Sequence, residues 1–190
     1  MTAPLPSLRL FFALKIPATP DLTAVIEPLR RWPVAIRAVA VDQLHLTVRF
    51  LGDTDPDCAP LLCAAAERVA AQTSPLTLTL MGVGSFAVRG RMSVVWIGID
   101  DNAALQQLHN RLKTEAVTLG FLSDQRAFRP HLTIGRVKAV PPPQLTRWLE
   151  ANRAISCGTV DIAALELIRS ELTPRGPVYE TVSEWALTEG

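Results

Sequence analysis

Apolar side chains return at every second position from Leu8 to Ile16, with Leu8, Leu10, Phe12, Leu14 and Ile16 on one face and Arg9, Phe11, Ala13 and Lys15 on the other. A period of two is the mark of a half-buried strand. Its first face is expected in the core. Its second face, an aromatic between cations, is either a half-exposed sheet surface or a wall facing a ligand. Thr19-Pro20 then predicts a capped helix running to about Arg31, with Leu22, Ile26 and Leu29 toward the sheet. Pro28 should make its last turn irregular, and Trp32-Pro33 should stop it. Further patterning predicts strands over 36–41, 44–52, 76–86 and 91–99, with helices over 60–72 and 103–119. Asn102 or a neighbour caps the second of these helices, Gly120 closes it, and Leu105, Leu108, Leu112 and Val117 form its apolar face. The triple proline 141–143 leads into a helix over 144–151, and two strands over 159–168 and 178–187 close the chain around a turn at 173–176. Hairpins dominate over regular strand–helix alternation, so the fold class is α+β, with largely antiparallel sheets and helices on their outer faces.

Within this pattern one stretch is written twice. Leu44-His45-Leu46-Thr47-Val48 returns as Pro130-His131-Leu132-Thr133-Ile134, roughly half the chain later. Each copy is a strand, so His and Thr at i and i+2 point the same way while the Leu and β-branched neighbours anchor the other face. Continued alternation puts Arg49 on the His45 face as well. A lone His-x-Thr is ordinarily a packed histidine. Two of the three histidines in near-identical contexts argue for function. The third, His109, has no Thr two residues on and reads as structural or surface. The spacing fits one domain over 1–190 made of two similar lobes, with the motif strands meeting at their boundary.

Bulk properties narrow the chemistry. The chain has 190 residues and a formal net charge of +1, which gives no broad field for binding long nucleic acid but admits a short or terminal one. Cys58, Cys63 and Cys157 form neither a C-x-x-C pair nor a metal spacing, so a reducing compartment is expected. Cys63 reads as a small buried residue. No signal peptide or membrane span is visible, and the expected setting is cytoplasmic. Two His-x-Thr pairs across a groove supply a general acid, a general base and two hydroxyl donors, the set that in-line displacement at a phosphodiester needs. Only Asp42 and Asp53 lie near His45 in sequence and only Asp124 near His131, none at a ligand spacing, so no metal and no cofactor is expected. Neither a nucleophile triad nor a P-loop is present.

The chain resembles the two-histidine (2H) phosphoesterase superfamily, most closely its RNA 2′,3′-cyclic phosphodiesterase or 2′-5′ RNA ligase (LigT-like) branch. The resemblance rests on stretches in the family's order over nearly the whole chain. These begin at Arg9-Leu-Phe-Phe-Ala-Leu, Leu44-His-Leu-Thr-Val-Arg-Phe-Leu-Gly52 and Val94-Val-Trp-Ile-Gly98. They continue with Phe128-Arg-Pro-His-Leu-Thr-Ile-Gly135, Ser170-Glu-Leu-Thr-Pro-Arg-Gly-Pro-Val-Tyr179 and Trp185-Ala-Leu. It implies a bilobal α+β fold of two mainly antiparallel sheets with the active cleft between lobes. It also implies that His45 donates a proton to the leaving oxygen, that His131 is the base for water, and that Thr47 and Thr133 hold the phosphate. The expected partner is RNA with a 2′,3′-cyclic phosphate end, such as a tRNA fragment, opened to a 2′-phosphomonoester, with 2′-5′ ligation when a free 5′-hydroxyl replaces water. Two alternatives stay open: a phosphodiesterase of small cyclic nucleotides or 2′-5′ oligonucleotides, and a non-catalytic RNA-end binding module. Around the four motif residues, Arg129 and Arg126 are candidate phosphate contacts or surface cations, and Phe11 is a base-stacking ring or a packed aromatic. Arg49 is a phosphate contact or a strand-end ion pair, and Tyr179 lies in a matching stretch. The chain is expected to act as a monomer.

Overall fold

A computed structural model describes residues 7–123, 127–173 and 176–188. The strands are β1 (Leu8–Lys15), β2 (Ile36–Ala38), β3 (His45–Thr54), β4 (Leu76–Val88), β5 (Arg91–Ile99), β6 (His131–Val137), β7 (Ser156–Ile162), β8 (Ala164–Thr173) and β9 (Gly176–Ala186). The helices are α1 (Pro20–Ile26), α2 (Ala59–Ala70), α3 (Ala103–Thr118) and α4 (Pro143–Ala151). Thr19 caps α1 by accepting from the Leu22 amide, and the chain tightens into a 3₁₀ turn at Glu27–Arg31, where Pro28 removes a donor. Asn102 caps α3 in the same way, through the Leu105 amide. No helix among the described residues is long and apolar enough to cross a membrane.

The strands form one nine-stranded antiparallel sheet in the order β7-β4-β5-β6-β3-β1-β8-β9, with β2 also paired to β6. Two separate sheets were expected. The halves β7-β4-β5-β6 and β3-β1-β8-β9 are instead joined where the motif strands touch, at the single residue pair Leu46↔Leu132. Beyond that pair the free edge of β6 turns to β2 at residues 135–137, so the sheet forks at its centre. Helices α1 to α4 all contribute to one apolar cluster with Leu10, Phe12, Leu46, Val48, Leu132 and Ile134. They therefore cover a single face of the sheet. On the opposite face the buried apolar side chains, among the described residues, form a small cluster of Phe11, Ala13 and Ile168 beside Tyr179.

The region read as one strand over 159–168 is two, separated at Ala163. β7 pairs with β4 in one half and β8 with β1 in the other, so the chain passes from one half to the other at this single residue. The buried positions change phase there, from Val160 and Ile162 to Leu165 and Leu167, but Ala163 and Ala164 between them keep the run apolar and hide the crossing. On α3, Val117 is exposed and Ala116 takes its place in the core; Cys63 is only half-buried, its Sγ 3.6 Å from the Ser183 hydroxyl. His109 is structural: it is 7% exposed, its ring stacks on Phe128 at 4.1 Å, and its Nδ1 bonds the Val48 carbonyl at 2.8 Å.

Candidate functional site

The Leu46↔Leu132 pair fixes the site. Both leucines are fully buried, so on either side of them His45, Thr47, His131 and Thr133 point to the open face. Because the strands run antiparallel, His45 lies toward Thr133 and Thr47 toward His131. The four side chains line a cleft of about 360 Å³ together with Arg9, Phe11, Phe50, Arg136 and Tyr179. A larger groove of about 680 Å³, beside the end of β3 and residues 119–123, touches none of the four.

Both imidazoles are held in the same way. His45 Nδ1 lies 2.9 Å from the Gln43 carbonyl, and His131 Nδ1 lies 2.8 Å from the Arg129 carbonyl, each two residues upstream. A carbonyl only accepts, so Nδ1 carries the hydrogen and donates it. The tautomer is thereby set, and Nε2 of each ring is left for chemistry. Aromatic rings hold the orientation: Tyr179 meets His45 edge-on at 4.7 Å with Phe11 at 5.2 Å, and Phe86 meets His131 edge-on at 4.7 Å. Burial pushes the His45 pKa down, the Gln43 carbonyl opposes this, and the nearby Arg136 guanidinium lowers it further.

Arg49 does not share the His45 face. A β-bulge at Val48 makes Phe12↔Arg49 and Ala13↔Thr47 neighbouring pairs, so the alternation slips by one. Arg49 is 4% exposed, and its guanidinium donates to the Leu122 carbonyl. Phe50 takes the cleft position instead, 45% exposed, with the Arg9 guanidinium 4.9 Å from its ring centre. The same slip occurs at Ile134 in β6, where Val95↔Gly135 is followed by Trp96↔Thr133. It turns Gly135 inward and brings Arg136 onto the cleft face. Arg136 and Phe50 therefore occupy matching places in the two motif strands, and local alternation shows neither.

Phe11 is 4% exposed and packs against His45 and Tyr179, so the ring most open at the cleft is Phe50. Tyr179 contacts His45 with its ring and accepts from Arg136 Nη2 at 3.2 Å with its hydroxyl. Arg129 contributes its carbonyl to His131, while its exposed side chain does not line the cleft. Arg126 lies outside the described residues. Phe86 was not anticipated either. Its link to His131 depends on the pairing of β4 with β5 and of β5 with β6, which no local signal near His131 reports.

Comparison with known proteins places this geometry. The family model described as "2′-5′ RNA ligase superfamily" matches residues 19–174. An RNA 2′,3′-cyclic phosphodiesterase of Escherichia coli is 32% identical over 192 residues, which cover 95% of this chain and 97% of that protein. One of Geobacillus stearothermophilus is 32% identical over 163 residues; these are 84% of this chain but only 48% of that longer relative. Among solved structures, Escherichia coli LigT complexed with 3′-AMP superposes with a TM-score of 0.71 at 30% identity, covering 97% of this chain and 100% of that one.

Proposed function

The chain belongs to the 2′-5′ RNA ligase superfamily, and from that membership and the geometry of the cleft we propose that it is an RNA 2′,3′-cyclic phosphodiesterase, a hydrolase acting on RNA ends. The observation that carries the reading is the matched pair of imidazoles. Each is locked through Nδ1 to a carbonyl, presents Nε2 to one cleft, and has a threonine hydroxyl alongside. A binding module has no use for two tautomerically fixed bases facing each other.

In the proposed reaction, water attacks the phosphorus of the cyclic phosphate opposite the 3′ oxygen. His131 Nε2 takes a proton from the water, and the new P–O bond forms as the P–O3′ bond breaks. Protonated His45 Nε2 gives its proton to the departing 3′ oxygen. The products are a 2′-phosphomonoester and a free 3′-hydroxyl. Thr47 and Thr133 donate to the non-bridging oxygens, and the Arg136 guanidinium faces the same negative charge. A 5′-hydroxyl in place of water would give the 2′-5′ linkage by the same proton transfers. One domain made of two pseudo-symmetric lobes, each contributing one His-x-Thr pair, accounts for the arrangement. Three free thiols suit a reducing, cytoplasmic setting.

The test is incubation with an oligonucleotide ending in a 2′,3′-cyclic phosphate, in the presence of EDTA, followed by analysis of the end group. A 2′-phosphate formed at an undiminished rate is expected. Loss of turnover that a divalent ion restores would refute the two-histidine mechanism, and a 3′-phosphate product would refute departure of the 3′ oxygen.

A further inference from the structure

Arg37 of β2 and Arg136 of β6 are directly opposite one another in the antiparallel register, so their side chains leave the same face of the sheet. Like charges placed so are destabilising, and here the burden falls on a strand of three residues. Among the described residues neither guanidinium has a carboxylate partner; Arg136 donates to the Tyr179 hydroxyl. Both border a second cavity of about 330 Å³, which opens from the catalytic cleft at His45, Thr133 and Arg136 and has no acidic residue among the described residues of its wall. Room for Arg37 has been made deliberately. Its guanidinium lies over Gly176, where φ is +116° and a Cβ would collide with Nη1. An arginine pair that repels itself, lies against a glycine and faces a cavity without a counter-charge is organised for an anion.

The direction of the cavity says which anion. His45 borders it and His131 does not. If the 3′ oxygen departs toward His45, the ribose lies on the His45 side of the phosphorus, and the rest of the RNA chain leaves the cleft there. We propose that Arg37, with Arg136, binds the phosphodiester on the 5′ side of the terminal nucleotide, so that the enzyme prefers the end of an RNA chain to a free cyclic nucleotide. This inference rests on the proposed activity and deepens it by naming the residues that hold the RNA beyond its terminal phosphate.

The experiment compares kcat/KM for three substrates: a nucleoside 2′,3′-cyclic phosphate with a free 5′-hydroxyl, a dinucleotide ending in the same cyclic nucleotide, and that dinucleotide with a neutral methylphosphonate at its linkage. The dinucleotide is expected to lead the nucleoside by about tenfold, the scale of one charge-assisted hydrogen bond. That lead should disappear for the methylphosphonate, and also in Arg37→Ala and Arg37→Gln, while Arg37→Lys keeps part of it. Each ratio comes from one enzyme preparation, so a misfolded fraction cancels. A lead that survives in Arg37→Ala or with the methylphosphonate would overturn the inference, as would equal rates on all three substrates in the unaltered enzyme. Failure of the unaltered enzyme to open any of the three would instead bring down the activity itself, and this inference with it.

Discussion

His45 carries an electrostatic tension that decides how the site titrates. It must give a proton, yet burial and Arg136 hold its pKa below the ordinary imidazole value of about 6.5. The free protein therefore keeps His45 mostly neutral at pH 7, and the substrate's own negative charge is what favours the imidazolium. Replacing Arg136 with Gln removes a positive charge near the ring, and the His45 pKa should rise. An NMR titration of the imidazole is expected to show a midpoint below 6.5 in the unaltered protein, moving upward in Arg136→Gln and also on adding inorganic phosphate. A midpoint that Arg136→Gln leaves in place would remove the arginine from this account. In catalysis, His45→Ala and His131→Ala should each lose about 10²–10⁴ in kcat, with the double variant short of the product because acid and base act as a unit. Thr47→Ala and Thr133→Ala should be milder. An aryl phosphodiester, whose leaving group needs no acid, should rescue His45→Ala and not His131→Ala; the opposite pattern would reverse the two roles.

At the level of elements, legibility ended where one strand's geometry is set by its neighbour. The alternation from Leu44 to Val48 is local, and it placed His45 and Thr47 correctly on one face. The bulge at Val48 is a misfit between β3 and β1, and the one at Ile134 a misfit between β6 and β5, so neither is written in the residues beside it. That is why simple alternation puts Arg49 on the His45 face, and why it does not reach Phe50 and Arg136. Helix caps, by contrast, are local chemistry, and Thr19 and Asn102 were readable as such. The support under His131 is of the non-local kind: Trp96 lies opposite Gly84 and beside Phe86, which meets the imidazole. A Cβ on Gly84 would come within 2.3 Å of the Trp96 ring. Gly84→Ala should therefore displace this stack, at a cost of about 1–3 kcal/mol from overpacking. A lowered Tm together with a reduced kcat is the expected result. An unchanged Tm would mean that the ring shifts freely and does not brace His131.

For the molecule as a whole, the relevant fact is that its charges nearly cancel. The net charge is +1, yet Arg9 and Arg136 line the catalytic cleft, and Arg37 and Arg136 line the cavity that opens from it. At the fork between the two halves these arginines meet no acidic residue among the described residues of either wall, while 19 basic and 18 acidic residues nearly cancel over the whole molecule and offer a long polyanion no net field. Affinity for RNA should then come from the last one or two phosphates only. For a single strand, each neutralised phosphate contributes a slope of about −0.7 in the logarithm of affinity against the logarithm of salt concentration. With subsaturating substrate, kcat/KM should fall with salt at a slope of about −1 to −1.5 for a dinucleotide ending in the cyclic phosphate. Lengthening the RNA to a dodecamer should leave both the slope and kcat/KM nearly where they are, because the added phosphates meet a surface with no net field to hold them. A slope that steepens steadily with length would show that the body of the RNA is bound along the protein, and that the cleft alone does not define the substrate.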